Sequence, residues 1–125
     1  MRIFKSKPFV RFADAEDIAD AVLCGAVKAA EAGKIDANLG GGVIKQRIAR
    51  AGQGKSGGFR SIILYRRGDK AFFVHGFAKK DKDNIDSKEL RAFRKLAEII
   101  LAMTDEQIKA AQKNRTITEV KCREA

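Results

Sequence analysis

Three runs in the middle of the chain restrict its fold more than any other feature. Val43 to Arg50, Phe59 to Arg67 and Lys70 to Lys79 each carry the apolar patterning of a β-strand, and each is bounded by glycine or turn-forming sequence. Gly68 and Asp69 separate the second run from the third, the signal of a hairpin. Side chains on a strand alternate between faces, so Ile44, Gln46 and Ile48 share one side of the first run while Lys45, Arg47 and Ala49 share the other. In the third, the same rule groups Phe73, His75, Phe77 and Lys79 against Phe72, Val74 and Ala78. The second run is apolar on both sides through Ile62, Ile63 and Leu64, which suits a central position. A sheet with one packed face and one basic face interleaved with aromatics is therefore expected.

The flanks read as helices. Arg2 to Lys5 is a short first strand, and Ser6 with Pro8 suits a helix entrance. Ile18, Ala21, Val22, Gly25, Ala26 and Ala29 recur at helical spacing, predicting a helix over Asp17 to Ala32 that Gly33 stops. The stretch "DANLGGG" reads as a loop. After "KKDKDN", Asp86 with Glu89 approximates a capping box, and Leu90, Phe93, Ala97, Ile100 and Leu101 form an apolar stripe. Thr104 with Gln107 repeats that signature before a shorter helix, and Thr116 to Val120 reads as a final strand. At 125 residues, without repeats or linkers, a single domain spanning 1–125 of the α+β class is expected, its small antiparallel twisted sheet carrying the N-terminal helices and a C-terminal helix.

Charge is concentrated where the strands are. Of a net charge of +10, the segment from Val43 to Lys82 holds eleven basic residues against Asp69 and Asp81. Such a segment calls for a polyanionic partner. Two cysteines, Cys24 and Cys122, and one histidine, His75, are too few for a disulfide framework or a zinc site. The expectation is two reduced thiols, no metal, no cofactor and no membrane partner in a soluble cytoplasmic protein, because no signal-peptide pattern or long apolar run occurs.

Between the first two of the three central strands, "GQGKSGGFR" imitates both a dinucleotide-binding glycine motif and the end of a P-loop. Both motifs open a helix whose N-terminal amides hold phosphate. Here a strand follows, so neither is present. The glycines instead let backbone amides and Lys55 approach a polynucleotide phosphate.

The combination of "GKSGGFRSI" with "FFVHGFAKKDKDNI", in the order basic strand, glycine loop, apolar strand, aromatic strand and helix, resembles the RelE/HigB group of toxins from bacterial type II toxin-antitoxin systems over about Phe9 to Met103. The resemblance implies helices on one face of an antiparallel sheet and a translation-inhibiting endoribonuclease that cleaves mRNA on the ribosome, close to rRNA. It also implies neutralisation by a cognate antitoxin, of helix-turn-helix type if HigB-like, through which alone the toxin would meet operator DNA. Cleavage by the RNA's own 2′-hydroxyl needs a proton acceptor, stabilisation of charge on the phosphorus and a proton donor to the leaving oxygen. A single histidine excludes a pair of histidines, leaving a cluster of cations to do this work. Carried over by position, Arg60 is the charge stabiliser, Lys80 the acid or second clamp, and Lys45 or Arg47 the base or phosphate holder. Lys55, Arg50, Lys79 and Lys82 are candidate RNA contacts, Phe77 a candidate platform for a base, and His75 and Asp81 candidate assistants in proton transfer. The tyrosine that some relatives carry after the basic cluster is replaced here by Ile85 and Asp86. Two other readings fit the same residues: a ParE-like inhibitor of DNA gyrase, and a non-catalytic nucleic-acid-binding regulator.

Overall fold

The computed structural model of the chain describes residues 1–49, 58–78 and 85–122. Its elements run β1 (Arg2–Ser6), α1 (Lys7–Ala15), α2 (Asp20–Glu31), β2 (Ala37–Gly40), β3 (Val43–Ile48), β4 (Phe59–Arg66), β5 (Lys70–Ala78), α3 (Ser87–Ile100), α4 (Asp105–Lys113) and β6 (Ile117–Glu119). Local signals account for most boundaries. Ser6 Oγ accepts a hydrogen bond from the Phe9 N–H at 3.3 Å, and Pro8 sits in the first turn of α1. Asp17 adopts φ 54°, a left-handed conformation that breaks the chain between α1 and α2, so the second helix starts at Asp20 rather than Asp17. Both expected capping boxes form, Asp86 with Glu89 on α3 and Thr104 with Gln107 on α4.

The six strands make one sheet in the order β2-β3-β4-β5-β1-β6. Most neighbours are antiparallel, but β1 lies parallel to β5, so the sheet is mixed. The α+β class stands. The helices cover both faces rather than one: Phe9, Ala13, Leu23, Val27 and Ala30 of α1 and α2 pack with Ile44, Ile63 and Phe73, while Ala97 and Ile108 of α3 and α4 pack with Val43, Ile62, Leu64 and Phe72 on the other side. As expected, β4 is the strand buried on both sides.

Three further expectations need correction. The "DANLGGG" stretch is not all loop, because Ala37–Gly40 pairs with β3 as an edge strand before turning through Gly41 and Gly42 at φ 61° and 81°. Arg94 of α3 lies against this turn, its Nε donating to the Leu39 carbonyl at 3.1 Å. In β5, the pairing slips between Ile62 and Ile63, whose partners are His75 and Phe73. This bulge at Val74 reverses the alternation, placing Phe73 on the α1/α2 face and leaving His75 and Phe77 opposite. Finally, Cys24 and Cys122 are not separate thiols but a disulfide, with Cα atoms 5.8 Å apart. Pairing of β6 with β1 carries the chain end back over α2, where Asp20 Oδ2 also accepts from the Lys121 N–H at 3.1 Å.

Candidate active site

Antiparallel partners face the same way, so register alone assembles a set of side chains on the α3 side of the sheet. Arg47 of β3, Arg60 of β4 and Phe77 of β5 stand in one row. Lys45, Ile62 and His75 stand in the next, one step toward the interior. Both rows lie toward the end of the sheet where β3 finishes and β4 begins. The cations at the opposite, hairpin end have structural work instead: Arg66 Nη1 donates to the Leu101 carbonyl at 3.0 Å, Arg67 Nη2 to the Glu31 carbonyl at 3.1 Å, and Lys70 pairs with Asp69 at 3.5 Å. The basic segment seen in the sequence thus divides into a structural end and a candidate functional end.

Exposure differs sharply within the functional rows. Arg47 is exposed and Lys45 partly buried, and neither has an ion pair among the described residues. Arg60 is only 5% exposed. Its Nε lies 3.3 Å from Asp36 Oδ2, and its Nη1 makes a long 3.5 Å contact with the Phe59 carbonyl. Arg47 is therefore the cation that meets solvent first, while Arg60 beside it is nearly buried. Phe77 is 7% exposed, its ring centroid 5.6 Å from that of His75, which in turn is 5.8 Å from Phe93 of α3. These rings belong to the packing under α3, so little of Phe77 is offered to a base.

Arg50, Lys55, Lys79, Lys80, Asp81 and Lys82 lie outside the described residues. The described elements on either side of both segments, β3 and β4 for one and β5 for the other, end beside the Arg47–Arg60–Phe77 row. Among the described residues, no three His, Cys, Asp or Glu side chains gather as a metal site. On the α2 side, a cleft of about 760 Å³ opens between Gly25 and Ala29 of α2 and the segment from Lys34 to Asp36, and reaches Arg47 and Gly58.

Sequence reasoning missed Asp36 and the part played by Gln46. Gln46 is 3% exposed in the middle of β3, and its presence on an otherwise apolar strand face was the available signal. Nothing local connected Asp36 to Arg60. Tyr65 likewise serves the fold, since its hydroxyl donates to Glu31 at the end of α2.

A family model described as the RelE toxin of the RelE/RelB toxin-antitoxin system matches residues 1–120. No curated protein gives a significant match. Among the described residues, no helix is long and apolar enough to cross a membrane.

Proposed function

Because the chain belongs to the RelE toxin family and is thus the toxin of a toxin-antitoxin pair, we propose that it is an endoribonuclease that cleaves mRNA on translating ribosomes through its cationic sheet end. The observation that carries this reading is the cross-strand pairing of Arg47 with Arg60, beside Lys45 in the next row, at the end of one sheet face. Opposed cations on directly paired residues work against the stability of a sheet; Asp36 offsets part of that cost at Arg60, and a bound phosphate offsets more. Arg47 and Lys45 grip the RNA backbone from the exposed side. Arg60 stabilises the charge that builds on the phosphorus as the 2′-hydroxyl attacks. Lys80 supplies the proton to the leaving oxygen, with Lys79, Lys82, Arg50 and Lys55 holding neighbouring phosphates. Lys45 is the candidate proton acceptor, with Arg47 the phosphate holder. The antitoxin silences the protein by covering this end or by keeping it from the ribosome.

The test is to map RNA 5′ ends after brief induction of the wild type and of Arg60→Ala and Arg47→Ala. New ends at preferred positions within codons are expected for the wild type, reduced about 10²- to 10³-fold by Arg60→Ala. A ParE-like gyrase inhibitor would arrest growth with no new RNA ends. Undiminished cleavage by both variants would remove the catalytic assignment.

A further inference from the structure

Asp36 lies outside the cationic block, yet among the described residues it is its carboxylate that touches Arg60, at 3.3 Å from Nε. It is held there by a built support. The Asp36 N–H donates to Gln46 Oε1 at 2.9 Å, while Gln46 Nε2 donates to the carbonyls of Lys34 at 2.9 Å and Ala26 at 3.0 Å. This buried amide therefore spends both donors and its acceptor on the segment carrying Asp36 and on α2, and it cannot turn without stranding one of them. Ser61, the residue after Arg60, donates through Oγ to the Gln46 main-chain carbonyl at 3.1 Å. The strand bearing Lys45 and Arg47, the segment bearing Asp36 and the strand bearing Arg60 are tied into one frame.

Charge gives the frame a purpose. Arg60 is a nearly buried cation facing Arg47 across the strands, with Cα atoms of such pairs about 4.5–5.5 Å apart. A buried cation beside a like charge needs a counter-ion or it leaves its place. Asp36 supplies one on the Nε side alone. Among the described residues, the end-on pair of guanidinium nitrogens, the fork that grips phosphate oxygens, makes only the long contact with Phe59.

We propose that Asp36 is a positioning residue for Arg60, fixing the guanidinium by its Nε side so that the opposite fork meets the scissile RNA phosphate. The proposal rests on the endoribonuclease reading above and adds a residue to it. Asp36 touches neither RNA nor the reacting atoms; it acts through Arg60.

Single-turnover cleavage of mRNA on programmed ribosomes, measured against toxin concentration and pH, tests this. Asp36→Ala is expected to lower the maximal rate about 10- to 100-fold while half-saturation moves less than about threefold, and Asp36→Glu to recover part of the rate. In an Arg60→Ala background, Asp36→Ala should change nothing further, because the pair is already broken. The pH–rate profile should keep its shape. If Arg60→Ala cleaves normally, the catalytic reading of Arg60 falls and this inference falls with it. If Arg60→Ala is slow but Asp36→Ala is not, the inference alone is overturned. It is also overturned if Asp36→Ala slows both backgrounds equally, or if it abolishes the acid limb of the profile, which would make Asp36 a proton acceptor. Should Asp36→Ala melt below the assay temperature, Asp36→Asn keeps an oxygen opposite Nε and reads the same coupling.

Discussion

Single residues here carry roles that their types alone do not announce. Tyr65 is the one tyrosine, and the chain has no tryptophan, so its ionisation can be followed alone by ultraviolet absorbance. Burial disfavours its phenolate, and the hydrogen bond it gives Glu31 adds to that, pushing its pKa up to about 12. A group whose pKa is raised on folding contributes stability below its unfolded value and loses that contribution as pH climbs through the folded one. Alkaline titration of the folded protein should thus show a phenolate midpoint near 12, against about 10 after denaturation. Unfolding free energy should fall more steeply across that window in the wild type than in Tyr65→Phe. Arg60 makes the complementary point. The motif it closes pointed to its importance, but its 5% exposure and its partner Asp36 are properties of its position in space.

Among the elements, β5 departs most from its sequence pattern. Strict alternation would set Phe73, His75 and Phe77 side by side, whereas the bulge sends Phe73 toward α1 and α2 and leaves the other two under α3. One consequence falls on Gly76, which pairs with Ser61 and turns toward α1, where the Phe12 ring occupies the space a Cβ would need. Gly76→Ala should destabilise the protein by about 1–3 kcal/mol by forcing α1 off the sheet, read as a lowered denaturation midpoint with an unchanged denaturant slope. The helices, by contrast, follow their local signals, since a capping residue and an apolar stripe are short-range properties.

At the scale of the whole molecule, the Cys24–Cys122 bridge joins α2 to the chain beyond β6 across a sequence separation of 98. Closing so long a loop constrains the unfolded chain, and reduction should cost about 2–4 kcal/mol of stability. The melting temperature is expected to drop on adding a dithiol reductant, and Cys24→Ser should melt at that lower temperature with or without it. An unchanged melting temperature would mean that the return of β6, not the bridge, holds the C-terminal end. The helices, the three central strands with their hairpin, the α+β class and the basic middle of the chain were all legible in the order of residues, because periodicity, caps and charge are written within a few residues of where they act. The parallel pairing of β1 with β5, the covering of both sheet faces, the meeting of the cysteines and the hold of Asp36 on Arg60 emerged from the folded chain alone. Each of these joins residues far apart in the chain, and long-range pairing is settled by which strands lie side by side rather than by any local pattern.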